Sequence, residues 1–128
     1  GQLGNSGGQK FWSWYGFESR VEWCACFASW CAEQSGMVAS GQVLKFSSCA
    51  VGASWFQGQG RWKGKGYTPS AGDFIFFDWN KDGQVDHVGI VVNVANGRVN
   101  TIEGNTSNMV ARRSYQFGGI VIVGYGYI

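Results

Sequence analysis

The segment Glu22–Ser35 reads EWCACFASWCAEQS and contains neither Gly nor Pro. Its large side chains Trp23, Phe27 and Trp30 are spaced by four and three residues, which places them on one face of a helix. A glycine follows the segment directly, and glycine is a common signal for the end of a helix. We therefore predict an amphipathic helix over this segment, with Cys24 in its first turn.

After this helix the pattern of the chain changes from helical to strand-like, from Asp73 onward. A second, shorter helix is predicted at 48–56, with Ser47 or Ser48 as its N-cap, and glycines then interrupt regular structure up to Pro69. Residues 1–10 predict no element. Five strands are predicted from apolar runs and alternation, at 74–77, 87–94, 98–103, 109–115 and 120–127. Helices followed by a meandering antiparallel sheet of about five strands predict an α+β fold.

The composition excludes several classes of protein. The chain has 128 residues, of which 45% are hydrophobic and 14% charged, so we expect one folded domain over 1–128 rather than a disordered chain. No apolar run is long enough to predict a membrane-spanning segment. The formal net charge of +2 comes from scattered residues and predicts no nucleic-acid partner. Because the sequence starts at Gly1 without a signal segment, we expect an excised domain or mature fragment, which we expect to be monomeric.

Four cysteines stand against a single histidine, His87. Cys24, Cys26 and Cys31 all lie in the predicted helix, too far apart or too differently oriented for a disulfide. Cys49 can then pair with at most one of them, and a Cys31–Cys49 disulfide is one option for a secreted domain. The Cys-x-Cys step and the lone imidazole disfavour a zinc site. We predict that Cys26, Cys31 and Cys49 are structural.

Three short motifs carry the chemistry. Cys24 at a helix N-terminus faces the positive end of the helix dipole, which favours a thiolate. His87 opens an alternating strand and is the base available to a thiol, while Gly89 leaves room beside the ring. Glu103 and Asn105 have the same parity on the next strand, so either could orient the imidazole through its Nδ1. Each residue alone also fits a structural role, and the combination gives the motifs their weight.

These residues resemble the CHAP domain, the cysteine- and histidine-dependent amidohydrolase/peptidase of bacterial cell-wall hydrolases. The resemblance runs in order through four blocks: Trp23–Trp30, Gly72–Phe77, His87–Val91 and Ile102–Asn105. It implies a papain-like fold, related to that of the NlpC/P60 family, and the catalytic residues Cys24, His87, Glu103 and Asn105. Many members carry Gln just before the cysteine as an oxyanion donor.

The sequence departs from that pattern at the oxyanion donor. Glu22 and Trp23 stand where the glutamine would be. The candidates for a side-chain donor are therefore Tyr15 and Ser19, shortly upstream.

The triad requires a particular register between the two strands that follow His87. If Asn96-Gly97 were a two-residue turn with regular pairing, His87 and Glu103 would face opposite sides of the sheet. A three-residue loop with a bulge at Gly97 would place Gly89 opposite Glu103 and His87 opposite Asn105. We therefore predict the bulged turn.

The loop before His87 spaces oxygen ligands as the first half of an EF-hand does, through Asp78, Asn80, Asp82 and Asp86. The twelfth position is Gly89 rather than Glu, so the bidentate ligand is missing. We favour a tight turn over a structural calcium site, and expect no other cofactor.

The resemblance implies a peptidoglycan substrate and action outside the cell, secreted or associated with the wall. The amide bond cut would be a peptide bond of the stem or cross-bridge (endopeptidase) or the N-acetylmuramoyl-L-alanine bond (amidase). Two alternatives stay open: a toxin- or effector-type cysteine peptidase on a protein substrate, and a non-catalytic wall-binding module.

Overall fold

The computed structural model describes residues 2–128. They fold into three helices and a seven-stranded antiparallel sheet. The helices are α1 (Gln9–Tyr15), α2 (Cys24–Gln34) and α3 (Cys49–Gly58). The strands are β1 (Gln2–Gly4), β2 (Trp62–Gly64), β3 (Phe74–Phe77), β4 (His87–Ala95), β5 (Arg98–Thr106), β6 (Met109–Gln116) and β7 (Ile122–Gly126). Within this range no helix has the length and apolarity needed to cross a bilayer.

The predicted α+β class is confirmed, but the strand count of about five is too low for the described residues. The strand order is β1-β6-β5-β4-β3-β7-β2, so the meander covers β3 to β6, and β7 returns to pair with the other side of β3. The two strands that are not predicted from the sequence are β1 and β2. Each is three residues long and adds to an edge of the sheet. Such short segments carry too few residues to show alternation.

Helix α1 was also not predicted, and close packing explains its position. Phe11 of α1 stacks on Trp23 with ring centroids 5.6 Å apart. Just before the helix, Gly8 has φ +67, and a Cβ there would lie 2.1 Å from the Trp23 ring. Only glycine allows both this backbone conformation and this approach. The Gly-rich N-terminal segment therefore fixes α1 against the residue that precedes Cys24.

The core is divided by strand β3, whose four residues are all buried. Phe74 and Phe76 pack on the side of α2 and α3, whereas Ile75 and Phe77 pack in an apolar cluster on the opposite face. A short strand that is apolar on both faces is typical of the centre of a sheet. Helix α2 lies against β4 and β5, which brings its N-terminus to the strands that carry the predicted base and acid.

The predicted bulged turn between β4 and β5 is wrong. Asn96 and Gly97 have φ +55 and +73 and form a two-residue turn, with Ala95 paired to Arg98. This is the turn that an Asn-Gly pair favours. The extra residue lies instead inside β4, where the register shifts between Val91 and Asn93.

The bulge within β4 produces the register that the triad requires. Beyond it, Ile90 pairs with Ile102, so the next positions bring Gly89 opposite Glu103. A Cβ at Gly89 would lie 2.6 Å from Glu103 Cγ, which shows how closely the two residues face each other. His87 and Glu103 therefore share a face of the sheet, although by a different route from the one predicted.

Candidate active site

Cys24 is the first residue of α2 and is 5% exposed. The N-cap residue is Trp23, and no side chain caps the first turn. The first N–H groups of a helix have no intrahelical acceptor, so those around Cys24 are available to an anion. The sequence thus places a thiol at the positive end of a helix, next to uncapped backbone donors.

His87 opens β4, and its side chain is 9% exposed. Its Nε2 lies 2.8 Å from Glu103 Oε1. The acid therefore contacts Nε2, and the prediction that it contacts Nδ1 is wrong. The other ring nitrogen, Nδ1, is left for the thiol of Cys24. The imidazole is thereby placed between the thiol and the carboxylate.

The Glu103 carboxylate is fully buried and receives hydrogen bonds from three side chains. Besides His87, the Thr101 hydroxyl donates to Oε2 at 2.5 Å and the Tyr115 hydroxyl donates to the same oxygen at 2.7 Å. A buried carboxylate without such donors would be strongly disfavoured. Thr101 and Tyr115 therefore hold Glu103 in place for its contact with the imidazole.

Cys24 and His87 stabilise each other's charged forms. The hydrogen bond from Cys49 lowers the pKa of Cys24 most, burial opposes it, and the His87 ring lowers it further, to about 5. Burial lowers the pKa of His87, but its hydrogen bonds and charge interactions with Cys24 and Glu103 outweigh this and raise it to about 9. At neutral pH the pair is therefore a thiolate and an imidazolium.

Asn105 lies at the rim of the site rather than on the imidazole. Its Nδ2 donates to the Glu22 carboxylate, and its Oδ1 accepts from Arg20 Nη2 at 2.9 Å. Arg20 also lies 3.8 Å from Glu22. Of the two residues proposed to orient His87, the structure brings Glu103 into contact with it and ties Asn105 to this surface network.

A cavity of about 330 Å³ opens beside Cys24. Its lining comprises Glu22, Cys24, Trp79, Asp86, His87, Asn105, Thr106 and Ser107. Trp79 is 44% exposed and stacks on Phe77 at 4.9 Å. The cavity therefore combines the Cys24 thiol with an exposed aromatic surface and hydrogen-bonding groups, as a site for a polar substrate requires.

A second cavity, of about 370 Å³, lies over β4, β5 and β6 and is lined by residues such as Asn93, Asn100 and Arg113. Neither Cys24 nor His87 borders it. The cavity beside Cys24 and His87 is therefore the candidate site.

The two candidate oxyanion donors, Tyr15 and Ser19, do not line the cavity beside Cys24. Tyr15 stacks on Phe17 and its hydroxyl donates to the Lys45 carbonyl at 3.5 Å. Ser19 lies in the exposed segment between α1 and α2. Their role as donors stays a prediction. The uncapped N–H groups at the start of α2, that of Cys24 among them, are backbone donors beside the thiol.

All four cysteines lie within the described residues and are free, so the Cys31–Cys49 disulfide is not formed. Cys26 packs in the cluster around Phe11, on a different side of α2 from Cys24. Burial raises the pKa of both Cys26 and Cys31 to about 11, which keeps these thiols protonated and unreactive. Cys49, in contrast, lies against Cys24, with the two sulfur atoms 3.4 Å apart.

The Asp78–Asp86 loop uses its carboxylates to accept backbone N–H groups. Asp78 accepts from Gly83 at 2.8 Å, and Asp86 accepts from Trp79 at 3.0 Å. Asp82 accepts from Gln84 at 2.9 Å. Among residues 2–128, no group of three or more His, Cys, Asp or Glu side chains is placed to hold a metal ion. These bonds support the tight turn.

Sequence reasoning missed Thr101, Tyr115, Trp79 and Cys49 as parts of the site. Thr101 could have been found, because it precedes Glu103 by two residues and shares its face of the strand. The other three reach the site through pairing of distant strands or docking of α3. No local signal marks them.

A family model described as CHAP domain matches residues 14–105. Two solved structures have similar folds: "The crystal structure of Ly7917" and "The crystal structure of Ly7917 with the hydrolyzing product of MDP". Both have a TM-score of 0.53, at 20% and 21% identity, and the matches cover 80% of this chain. They cover 51% and 52% of the Ly7917 chains, so this chain spans about half the length of those proteins. No curated protein matches the chain.

Proposed function

Because the chain belongs to the CHAP domain family, we propose that it is a peptidoglycan hydrolase that cleaves an amide bond by cysteine nucleophilic catalysis. The observation that carries this proposal is the buried series Cys24, His87 and Glu103 beside an open cavity. The family supports the reaction class, and the geometry supports Cys24 as the nucleophile, His87 as the base and Glu103 as the acid that orients it. The similar fold of Ly7917, solved with the hydrolyzing product of MDP, supports a cell-wall substrate.

The first half of the reaction forms a thioester. The Cys24 thiolate attacks the carbonyl carbon of the substrate amide, and the carbonyl oxygen takes the negative charge. The backbone N–H of Cys24, at the uncapped helix start, donates to this oxyanion. His87 then protonates the amide nitrogen, the carbon–nitrogen bond breaks, and the amine leaves.

The second half of the reaction restores the thiolate. Neutral His87 removes a proton from water, and the resulting hydroxide attacks the thioester carbon. The carbon–sulfur bond breaks and the acid product leaves, which restores the Cys24 thiolate beside the His87 imidazolium formed in the preceding step. Throughout, Glu103 holds the ring by Nε2, which leaves Nδ1 for the proton transfers of the reaction.

The substrate would lie in the cavity, with Trp79 as its aromatic wall. Such a surface suits the apolar faces of sugar rings and peptide side chains. The scissile bond is a stem or cross-bridge peptide bond or the N-acetylmuramoyl-L-alanine bond. We place the activity outside the cell, at the wall, and propose that it needs no cofactor.

Clearing of a cell-wall suspension tests this function. We expect the wild-type domain to clear it and Cys24→Ala to lose the activity. Cys31→Ala is the matched control, because this half-buried thiol lies on the same helix and outside the cavity, and it should clear at the wild-type rate. Clearing by Cys24→Ala would refute this nucleophile. Cleavage of proteins without clearing would instead support the effector-type peptidase.

A further inference from the structure

Cys49 has a position that the thiolate, base and acid mechanism does not require. It is the first residue of α3 and is 9% exposed. The N-cap of this helix, Ser48, accepts from Val51 N–H and so fixes the helix start. As a result, two helix N-termini meet with their first side chains in contact, and the sulfur atoms of Cys24 and Cys49 lie 3.4 Å apart.

This distance is that of a hydrogen bond between two sulfur atoms, and both thiols are free. A thiol is a weak donor to a neutral acceptor, but a charged acceptor strengthens the bond. The hydrogen bond with the Cys24 sulfur and, after it, burial raise the pKa of Cys49, so Cys49 keeps its proton. When Cys24 is the thiolate, Cys49 is therefore the donor in this pair.

We propose that Cys49 is a positioning residue for the nucleophile: its S–H donates to the Cys24 sulfur and holds it as a thiolate next to His87. The inference rests on the proposed function, in which Cys24 is the nucleophile. A small apolar side chain could fill the same space in the core but could not donate this proton. The effect is therefore separable from packing.

The Cys49 donor should affect the protonation of Cys24 most at acid pH, where Cys24 exists partly as the thiolate and partly as the thiol. Other titratable groups act on the two sulfur atoms from the elements around them: His87 on β4, with Glu103 behind it on β5; Asp86 before β4; and Cys26 on α2. Glu22 also lines the cavity. None of these groups changes when Cys49 is replaced, so a shift on replacement reports the Cys49 donor.

The test is the rate of alkylation of Cys24 by iodoacetamide from pH 4 to pH 8, with the modified residue identified by peptide mass spectrometry. Cys49→Ala removes the donor, Cys49→Ser keeps a hydroxyl donor, and Cys31→Ala is the control. From the free energy of a hydrogen bond to a charged group, we expect alkylation of Cys24 to be roughly tenfold slower in Cys49→Ala than in the wild type at pH 5. The midpoint of the pH dependence of Cys24 alkylation should move to higher pH in Cys49→Ala and by a smaller amount in Cys49→Ser. In Cys31→Ala this midpoint should stay at the wild-type pH.

An unchanged midpoint in Cys49→Ala would overturn the inference. If this variant does not fold, as judged by circular dichroism, Cys49→Val fills the space without a donor and is judged by the same criterion. The alkylation assay needs no substrate, so the two proposals fail separately. A low wild-type midpoint that depends on Cys49, without release of peptidoglycan fragments, would refute the function and keep the role of Cys49.

Discussion

Replacement of Glu103 by glutamine removes the charge behind His87 while keeping the size of the side chain. The carboxylate receives three hydrogen bonds at 2.5 to 2.8 Å, from His87, Thr101 and Tyr115. The two hydroxyls can rotate to accept from the new amide, but the imidazolium loses its anionic partner. A hydrogen bond involving charged groups contributes about 1.5–3 kcal/mol, so kcat should fall roughly 10- to 150-fold.

The same substitution should narrow the pH range of activity from its alkaline side. Glu103 is among the groups that raise the pKa of His87 to about 9, so its loss lowers that pKa and moves the alkaline limb to lower pH. The acid limb, which Cys24 sets at about pH 5, should stay near its wild-type position, because His87 is still protonated there. Exposed Glu18 provides the control Glu18→Gln, which should leave both limbs unchanged.

The assay is the initial rate of release of soluble fragments from purified peptidoglycan, measured from pH 4 to pH 10. Thermal unfolding of each variant should accompany it, to show that the comparison is made between folded proteins. A Glu103→Gln enzyme with wild-type kcat and wild-type limbs would refute the role of Glu103 in supporting His87.

Four further predictions follow from the geometry. Wild-type activity should rise through about pH 5, where Cys24 becomes a thiolate, and fall through about pH 9, where His87 loses its proton; a pH–rate profile checks this. Tyr115→Phe should lower kcat about tenfold with little change in KM, because Glu103 loses one donor; equal kinetics would contradict it. Gly89→Ala should cost about 1–3 kcal/mol of stability and most of the activity, since its Cβ would meet Glu103, whereas Gly66→Ala has open space; denaturant unfolding compares them. Calorimetry with and without a chelator should give the same unfolding temperature, because backbone N–H groups occupy the carboxylates of the Asp78–Asp86 loop; a lower value in chelator would indicate bound calcium.

Much of the fold follows from local pattern. Helix α2, helix α3 and the five longer strands were predicted close to their observed bounds, because each carries enough residues to show its period. Helix α1 and the two three-residue strands were missed, since their stability comes from contacts such as Phe11 on Trp23 rather than from a pattern of their own.

The candidate site, too, is predicted from the sequence only in part. Cys24, His87 and Glu103 were identified from motifs, and the structure brings them together. The register between β4 and β5 was predicted, but the bulge that produces it was placed in the turn instead of at Val92. An Asn-Gly turn has a strong local preference, whereas a bulge within a strand has no clear sequence signal. The position of Cys49 depends on how α3 docks against α2, which no spacing along the chain encodes.

The central claim is that Cys24 hydrolyses an amide bond of peptidoglycan. Mass spectrometry of purified peptidoglycan, digested in parallel by the wild-type domain and by Cys24→Ala, tests it most directly. We predict fragments with a new free amine and a new carboxyl group from the wild type, whose positions identify the bond cut, and none from the variant. Fragments with new reducing sugar ends, or the same fragments from Cys24→Ala, would contradict the account.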